Sequence, residues 1–187
     1  MRDLIVKSIE ENIAAKKAVL AQLVPSIEKA ANLVVKALQN GNKILFFGNG
    51  GSASDSQHLA AEFVGRYEKE RRGLASVALT TDTSILTAVG NDYGFEKIFE
   101  RQVESLGRPG DVAVGLSTTG NSKNVVRGLA RAKALGLVTI ALTGRTGGEL
   151  KNLADLSLIV PSQKTSRIQE CHILIGHIIC ELADTHF

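Results

Sequence analysis

Apolar positions recur at helical spacing near the start of the chain, then give way to short unbroken runs. Leu4, Ile5, Ile9, Ile13, Ala14, Leu20 and Leu23 trace a stripe that predicts a helix over 3–22. Pro25 interrupts it and can open a second helix, with Ile27, Ala30, Ala31, Val34, Val35 and Leu38 inward and Gly41 as the stop signal. The runs Ile44–Phe47, Leu74–Leu79, Val112–Leu116, Val138–Leu142 and Leu156–Val160 then read as strands. Helical stretches separate them. One follows Ser52 and carries His58, Glu62 and Arg66. Another covers Thr83–Val89, and a turn at 90–94 launches a third through Phe95, Ile98, Phe99, Val103 and Leu106. Lys123–Leu135 and a short piece at Leu150–Leu153 follow, and Ser166 is expected to cap a long last helix reaching about Thr185.

Strands alternating with helices predict an α/β layered fold with a central, mostly parallel sheet. The strands are continuously apolar, as in a sheet covered on both faces. One domain over 1–187 is expected, with 1–40 a helical pair appended to the sandwich at 41–187. The stripes of that pair need a partner, either their own domain or a sister subunit.

Composition narrows the class. The 187 residues are 44% hydrophobic and 22% charged, ordinary for a soluble globular protein. A net charge of +3 gives no argument for nucleic acid, and no apolar stretch reaches the ~18 residues of a membrane helix. Cys171 and Cys180 show no Cys-x-x-Cys spacing, and the start has no signal-peptide pattern, so a reduced cytoplasmic protein is expected.

The chemistry gathers in two loops. Gly48-Asn49-Gly50-Gly51-Ser52 ends a strand and opens a helix, where outward N–H groups suit a phosphate. It formally fits the dinucleotide fingerprint Gly-x-Gly-x-x-Ala. That fingerprint wants an acid at the next strand end roughly 20 residues on, and counting lands instead in the charged connection at Glu68–Glu70. Ser117-Thr118-Thr119-Gly120-Asn121-Ser122 repeats the device after another strand. Capping a helix needs one hydroxyl, so this loop carries a surplus able to donate to phosphate oxygens. No Gly-Lys-Ser/Thr follows either loop, which disfavours nucleoside triphosphate hydrolysis and favours a phosphomonoester held by neutral donors. Both loops are placed together beyond the carboxyl ends of the strands. His58, Glu62 and Arg66, spaced four apart, are expected on one helix side. His58 and Glu62 with a third nitrogen ligand suit zinc. His177, two turns after Gln169, or His172 could supply it, and spacing does not choose between them.

These residues resemble the sugar isomerase (SIS) domain family, and within it the phosphoheptose isomerases. The likeness runs nearly end to end. It includes GNGGSASDSQHLAAEFVGRY, GNDYGF at 90–95, GLSTTGNSKNV at 115–125 and SRIQECHILIGHII at 166–179. The resemblance implies a flavodoxin-like three-layer sandwich, a homotetramer with active sites at subunit contacts, and interconversion of D-sedoheptulose 7-phosphate with D-glycero-D-manno-heptose 7-phosphate through an enediol. That step leads to ADP-heptose for lipopolysaccharide. By motif, Ser52, Ser117, Thr118, Thr119 and Ser122 hold the phosphate and nearby hydroxyls. Asn49, Gly50, Gly51, Asn91 and Asp92 hold the sugar chain, with Arg66 and Gln169 also counted toward the substrate. Glu62 and His177 are the acid–base pair, and zinc is bound by His58, Glu62, Gln169 and His177. The rival is a non-catalytic SIS adaptor binding the DnaA replication initiator. It shares both loops but lacks the equivalents of Glu62 and His177.

Overall fold

A computed structural model describes the whole chain, Met1–Phe187. Its elements are α1 (Arg2–Gln22), α2 (Val24–Gln39), β1 (Ile44–Gly48), α3 (Gly51–Val64), β2 (Ser76–Ala78) and α4 (Thr83–Tyr93). A 3₁₀ turn at Phe95–Lys97 leads into α5 (Ile98–Leu106), followed by β3 (Val112–Ser117), α6 (Lys123–Ala134), β4 (Val138–Gly144), α7 (Leu150–Leu153), β5 (Leu156–Val160) and α8 (Thr165–Asp184).

The five strands form one sheet in the order β2-β1-β3-β4-β5, every pair parallel. The period-2 pleat sends alternate residues to opposite faces. Ile44 and Phe46 join a core with residues of α2, α3 and α8, while Leu45 and Phe47 join a second core with α5, α6 and α7. Helices therefore cover both faces, which is why the strands lack polar alternation. α1 lies outside the first helical layer, with only Ala15 and Val19 buried. Its Leu4, Ile5, Ile9, Ile13 and Leu20 remain exposed. No single helix is long and apolar enough to cross a membrane.

Four local expectations are corrected. The run Leu74–Leu79 supplies only a three-residue edge strand, Ser76–Ala78, although Leu74 and Leu79 are both buried. The turn expected at 90–94 is instead the last turn of α4. Gly90 stays helical, and the chain breaks at Gly94, whose φ of 92° an L side chain rarely adopts. Ser166 lies inside α8, whose N-cap is Lys164. Arg66 lies beyond α3, which stops at Val64 with Gly65 as its C-cap.

Candidate active site

In a parallel sheet of this order the strand sequence reverses between β1 and β3, and the crevice there is where ligands bind. The loops after β1 and β3 flank it. They are joined by a reciprocal amide pair: Asn49 Nδ2 donates to Asn124 Oδ1 at 2.9 Å, and Asn124 Nδ2 to Asn49 Oδ1 at 2.8 Å. Asn124 is buried and was not singled out from sequence, where it reads as an ordinary polar residue in a helix's first turn. Asn49 and Ser122 line a cavity of about 570 Å³ with Tyr93, Gly94, Phe95, Glu96, Lys123 and Asn124.

The hydroxyl loop is linked to itself. Ser117 Oγ lies 2.9 Å from Ser122 Oγ and 3.5 Å from Thr119 Oγ1, which accepts the Asn121 N–H at 3.2 Å. Thr118 and Thr119 are half-buried beside them. None of these hydroxyls caps α6: Ser122 is the N-cap residue, yet its side chain accepts no helix N–H. α3 likewise starts on Gly50 without a side-chain cap, whereas α4 is capped by Asp82, which accepts from Ile85 N–H at 2.9 Å. Both helices that open at the crevice thus start without a side-chain cap, as α1, α2, α5, α7 and α8 also do, and it is their position beside the loops that suits their first N–H groups to an anion.

α3 and α8 run side by side in parallel. Gly51 permits this at one end, since a Cβ there would meet the Gln169 amide at 2.1 Å. Gly176 permits it further along, where a Cβ would meet Leu59 Cδ2 at 2.4 Å. The pairing carries His58 and Glu62 to His177. His58 Nε2 is 3.0 Å from His177 Nε2 and 3.1 Å from Glu62 Oε1. One ligand atom from each of the three residues fits within 4.8 Å of the others. The Tyr67 ring packs beside His177, centroids 5.6 Å apart. The cluster is open on one side, with the His58 side chain 52% exposed.

Gln169 lies against Gly51 and beside Asp55, a turn before His58. Burial pushes the Asp55 carboxyl above its ordinary value, against the opposing effects of the Gln169 amide and His58. Asp55 and Tyr67 join Asn124 as site neighbours that spacing alone did not reveal. An acid three residues before His58 was the available signal for the first.

Other expected residues are elsewhere. Asn91 and Asp92 sit exposed on the last turn of α4, bonded to each other at 2.9 Å, and outside the lining of the cavity. Arg66 lies past the end of α3, so helical spacing no longer ties it to His58 and Glu62. Its Nε lies 3.6 Å from Glu70. His172 is fully buried and bonds the Thr143 carbonyl at 3.0 Å, so it faces the sheet and not the cluster.

Burial lowers the His172 pKa from 6.5 to about 4, against the hydrogen bond to Thr143, which raises it. The folded protein therefore keeps this imidazole neutral where the unfolded chain would charge it. The resulting stability is complete above pH 6.5 and is lost as pH falls from 6.5 toward about 4. His172→Gln is expected to flatten the decline of Tm across that window and leave kcat within about threefold, no catalytic factor of the usual 10²–10⁴ being lost. An unchanged slope in thermal melts from pH 4 to 7 would reject the assignment.

Residues 9–144 match the family model described as "SIS domain". The chain is 56% identical over 184 residues to a phosphoheptose isomerase of Aquifex aeolicus, covering 98% of this chain and 96% of that one. It is 52% identical over 185 residues to one of Helicobacter pylori, covering 99% and 96%. Among solved structures, a phosphoheptose isomerase from Neisseria gonorrhoeae superposes with a TM-score of 0.94 at 47% identity, covering 98% of each chain. One from Francisella tularensis gives 0.95 at 40%, covering 98% and 97%.

Proposed function

Since the chain belongs to the phosphoheptose isomerases of the SIS-domain family, we propose that its aldose–ketose isomerisation of sedoheptulose 7-phosphate is carried by Glu62 and His177 over a sugar anchored at the two loops. The observation that supports this most is the convergence of Glu62 and His177 from separate helices into one cluster.

Isomerisation moves one proton between adjacent carbons and another between the adjacent oxygens, with a cis-enediol between. Glu62 takes the proton from C1 of the ketose and returns it to C2. His177 moves the proton between the oxygens, and the reverse assignment uses the same geometry. Two groups within 4.8 Å can address neighbouring carbons and their oxygens from one side. The phosphate sits on Ser52, Ser117, Thr118, Thr119 and Ser122 and the uncapped N–H groups beside them. Asn49, held by Asn124, lines the cavity and would contact the sugar chain. An adaptor that binds the replication initiator has no use for a convergent His58–Glu62–His177 cluster.

The donors suit zinc. Two imidazole nitrogens facing each other at 3.0 Å repel unless a proton or cation lies between them, and a carboxylate oxygen completes an N/N/O set. His58, Glu62 and His177 would hold the ion, with Gln169 from α8 as the fourth ligand. The ion supplies polarisation of the substrate carbonyl and stabilises negative charge on oxygen. We place the enzyme in the cytoplasm, at the step toward ADP-heptose for lipopolysaccharide. We assign it a homotetramer with sites at subunit contacts. The exposed apolar face of α1 and the open side of the cluster support that assembly.

The test is conversion of sedoheptulose 7-phosphate, followed by product formation with and without a chelator. Turnover is expected, falling at least about tenfold after chelation and returning with added zinc, since a bound metal is worth several kcal/mol of charge stabilisation. Full activity in the chelated, metal-free protein would remove zinc from the account. No turnover under any condition would remove the reaction.

A further inference from the structure

A buried ion pair lies beyond the cluster, where α3 and α8 both end. Arg71 and Asp184 have side chains only 1% and 6% exposed, with Arg71 Nε 2.7 Å from Asp184 Oδ1. The rest of the guanidinium collects backbone carbonyls. Nη2 donates to Glu62 O at 3.0 Å, and Nη1 to Phe63 O at 3.0 Å, Arg72 O at 3.1 Å and Gly65 O at 3.4 Å. Asp184 Oδ2 in turn accepts the Glu68 and Lys69 N–H groups at 2.9 and 3.0 Å. One planar cation thus takes up carbonyls that α3 leaves open at its end, among them that of Glu62 itself. Its carboxylate partner sits on the last residue of α8, the helix that carries His177. The segment pinned between them holds Tyr67 against the His177 ring.

We infer that Arg71 and Asp184 are positioning residues for the isomerisation, a strut that fixes the carboxylate of Glu62 relative to the imidazole of His177. The inference rests on the roles proposed above for those two residues. The strut ties the end of α3 to the end of α8 by bonds that a displaced helix could not keep. Its neighbourhood holds no part of either anion loop, so it acts on chemistry and not on phosphate capture. Catalytic groups must be held within about 0.5 Å of the productive arrangement, and a 1 Å misplacement can cost about a hundredfold in rate.

The test uses Arg71→Lys, because removing either charge outright leaves the other buried and unpaired and risks the fold. A lysine keeps the ion pair with Asp184 but cannot span the carbonyls of Glu62, Phe63 and Arg72. The control is Asp111→Asn. It breaks a clamp whose carboxylate is equally buried, binding Lys43 and the Arg108 N–H at the other end of the strands. With sedoheptulose 7-phosphate, Arg71→Lys is expected to lower kcat by about 10- to 100-fold with KM moved less than about threefold. Asp111→Asn is expected to lower Tm and leave kcat within about twofold. Crystal structures of parent and Arg71→Lys are expected to show the Glu62 carboxylate moved by more than about 0.5 Å from His177. A folded Arg71→Lys with parental kcat and parental Glu62–His177 spacing overturns the inference, as does an equal kcat loss in Asp111→Asn. If the parent itself does not isomerise this sugar, the functional reading fails, and the crystallographic spacing alone decides the strut.

Discussion

Glu62→Gln is expected to lower kcat by about 10²–10⁴ while the fold and the affinity for sedoheptulose 7-phosphate persist. The amide matches the carboxylate in shape but cannot accept a proton from carbon. The substitution leaves the backbone carbonyl that binds Arg71 untouched, and the side chain is only 22% exposed, already ordered by His58 Nε2 at 3.1 Å. Thermal melting and calorimetric titration with substrate check that the protein is folded and binds. Initial rates then give the catalytic loss. Near-parental turnover in a folded, binding-competent variant would move the base to another residue.

The second large effect belongs to the anion loop. Ser117→Ala combined with Ser122→Ala is expected to raise KM by about a hundredfold or more, with kcat held within a few-fold. In the proposed site each hydroxyl would donate to a phosphate oxygen, and a hydrogen bond to a charged group is worth about 1.5–3 kcal/mol. Two together amount to about 3 kcal/mol at the low end, or about two powers of ten in affinity. The two hydroxyls lie 2.9 Å apart and cap nothing, so removing both leaves no helix N–H newly orphaned. Steady-state kinetics should show saturation moving to higher substrate, and unphosphorylated sedoheptulose should be handled equally poorly by parent and variant. A KM within threefold of the parent would show that the phosphate rests elsewhere.

Much of this site is legible in the chain because its parts are local. A buried strand ending in glycine and hydroxyl residues announces a ligand loop, and both loops fall at strand ends as expected. His58 and Glu62 share a helix, so an i,i+4 spacing states their proximity. Arg66 shows where spacing fails. Periodicity places it on the same side, but α3 ends two residues earlier, at a Gly65 cap with carbonyls that Arg71 takes up from outside the helix. Gly65 is a stop signal of the same kind as Gly41, one that spacing alone passes over. Asn91 and Asp92 mislead in the opposite way, since glycine and asparagine suggest a turn while the helix continues to Gly94. The choice between His172 and His177 depends on how α8 is rotated against α3. That rotation follows from Gly51 and Gly176, whose missing side chains let the helices approach. Asn49 with Asn124 and Arg71 with Asp184 join residues far apart in sequence, and no period along one element reveals such pairs.

The claim at the centre is that a carbon-bound proton passes through Glu62. The most direct measurement is isomerisation of sedoheptulose 7-phosphate in deuterium oxide, with deuterium located by NMR at C1 of the ketose and C2 of the aldose. Deuterium should enter at those carbons with the parent protein, and its entry should fall with turnover in Glu62→Gln. Undiminished exchange and turnover in Glu62→Gln would contradict the account.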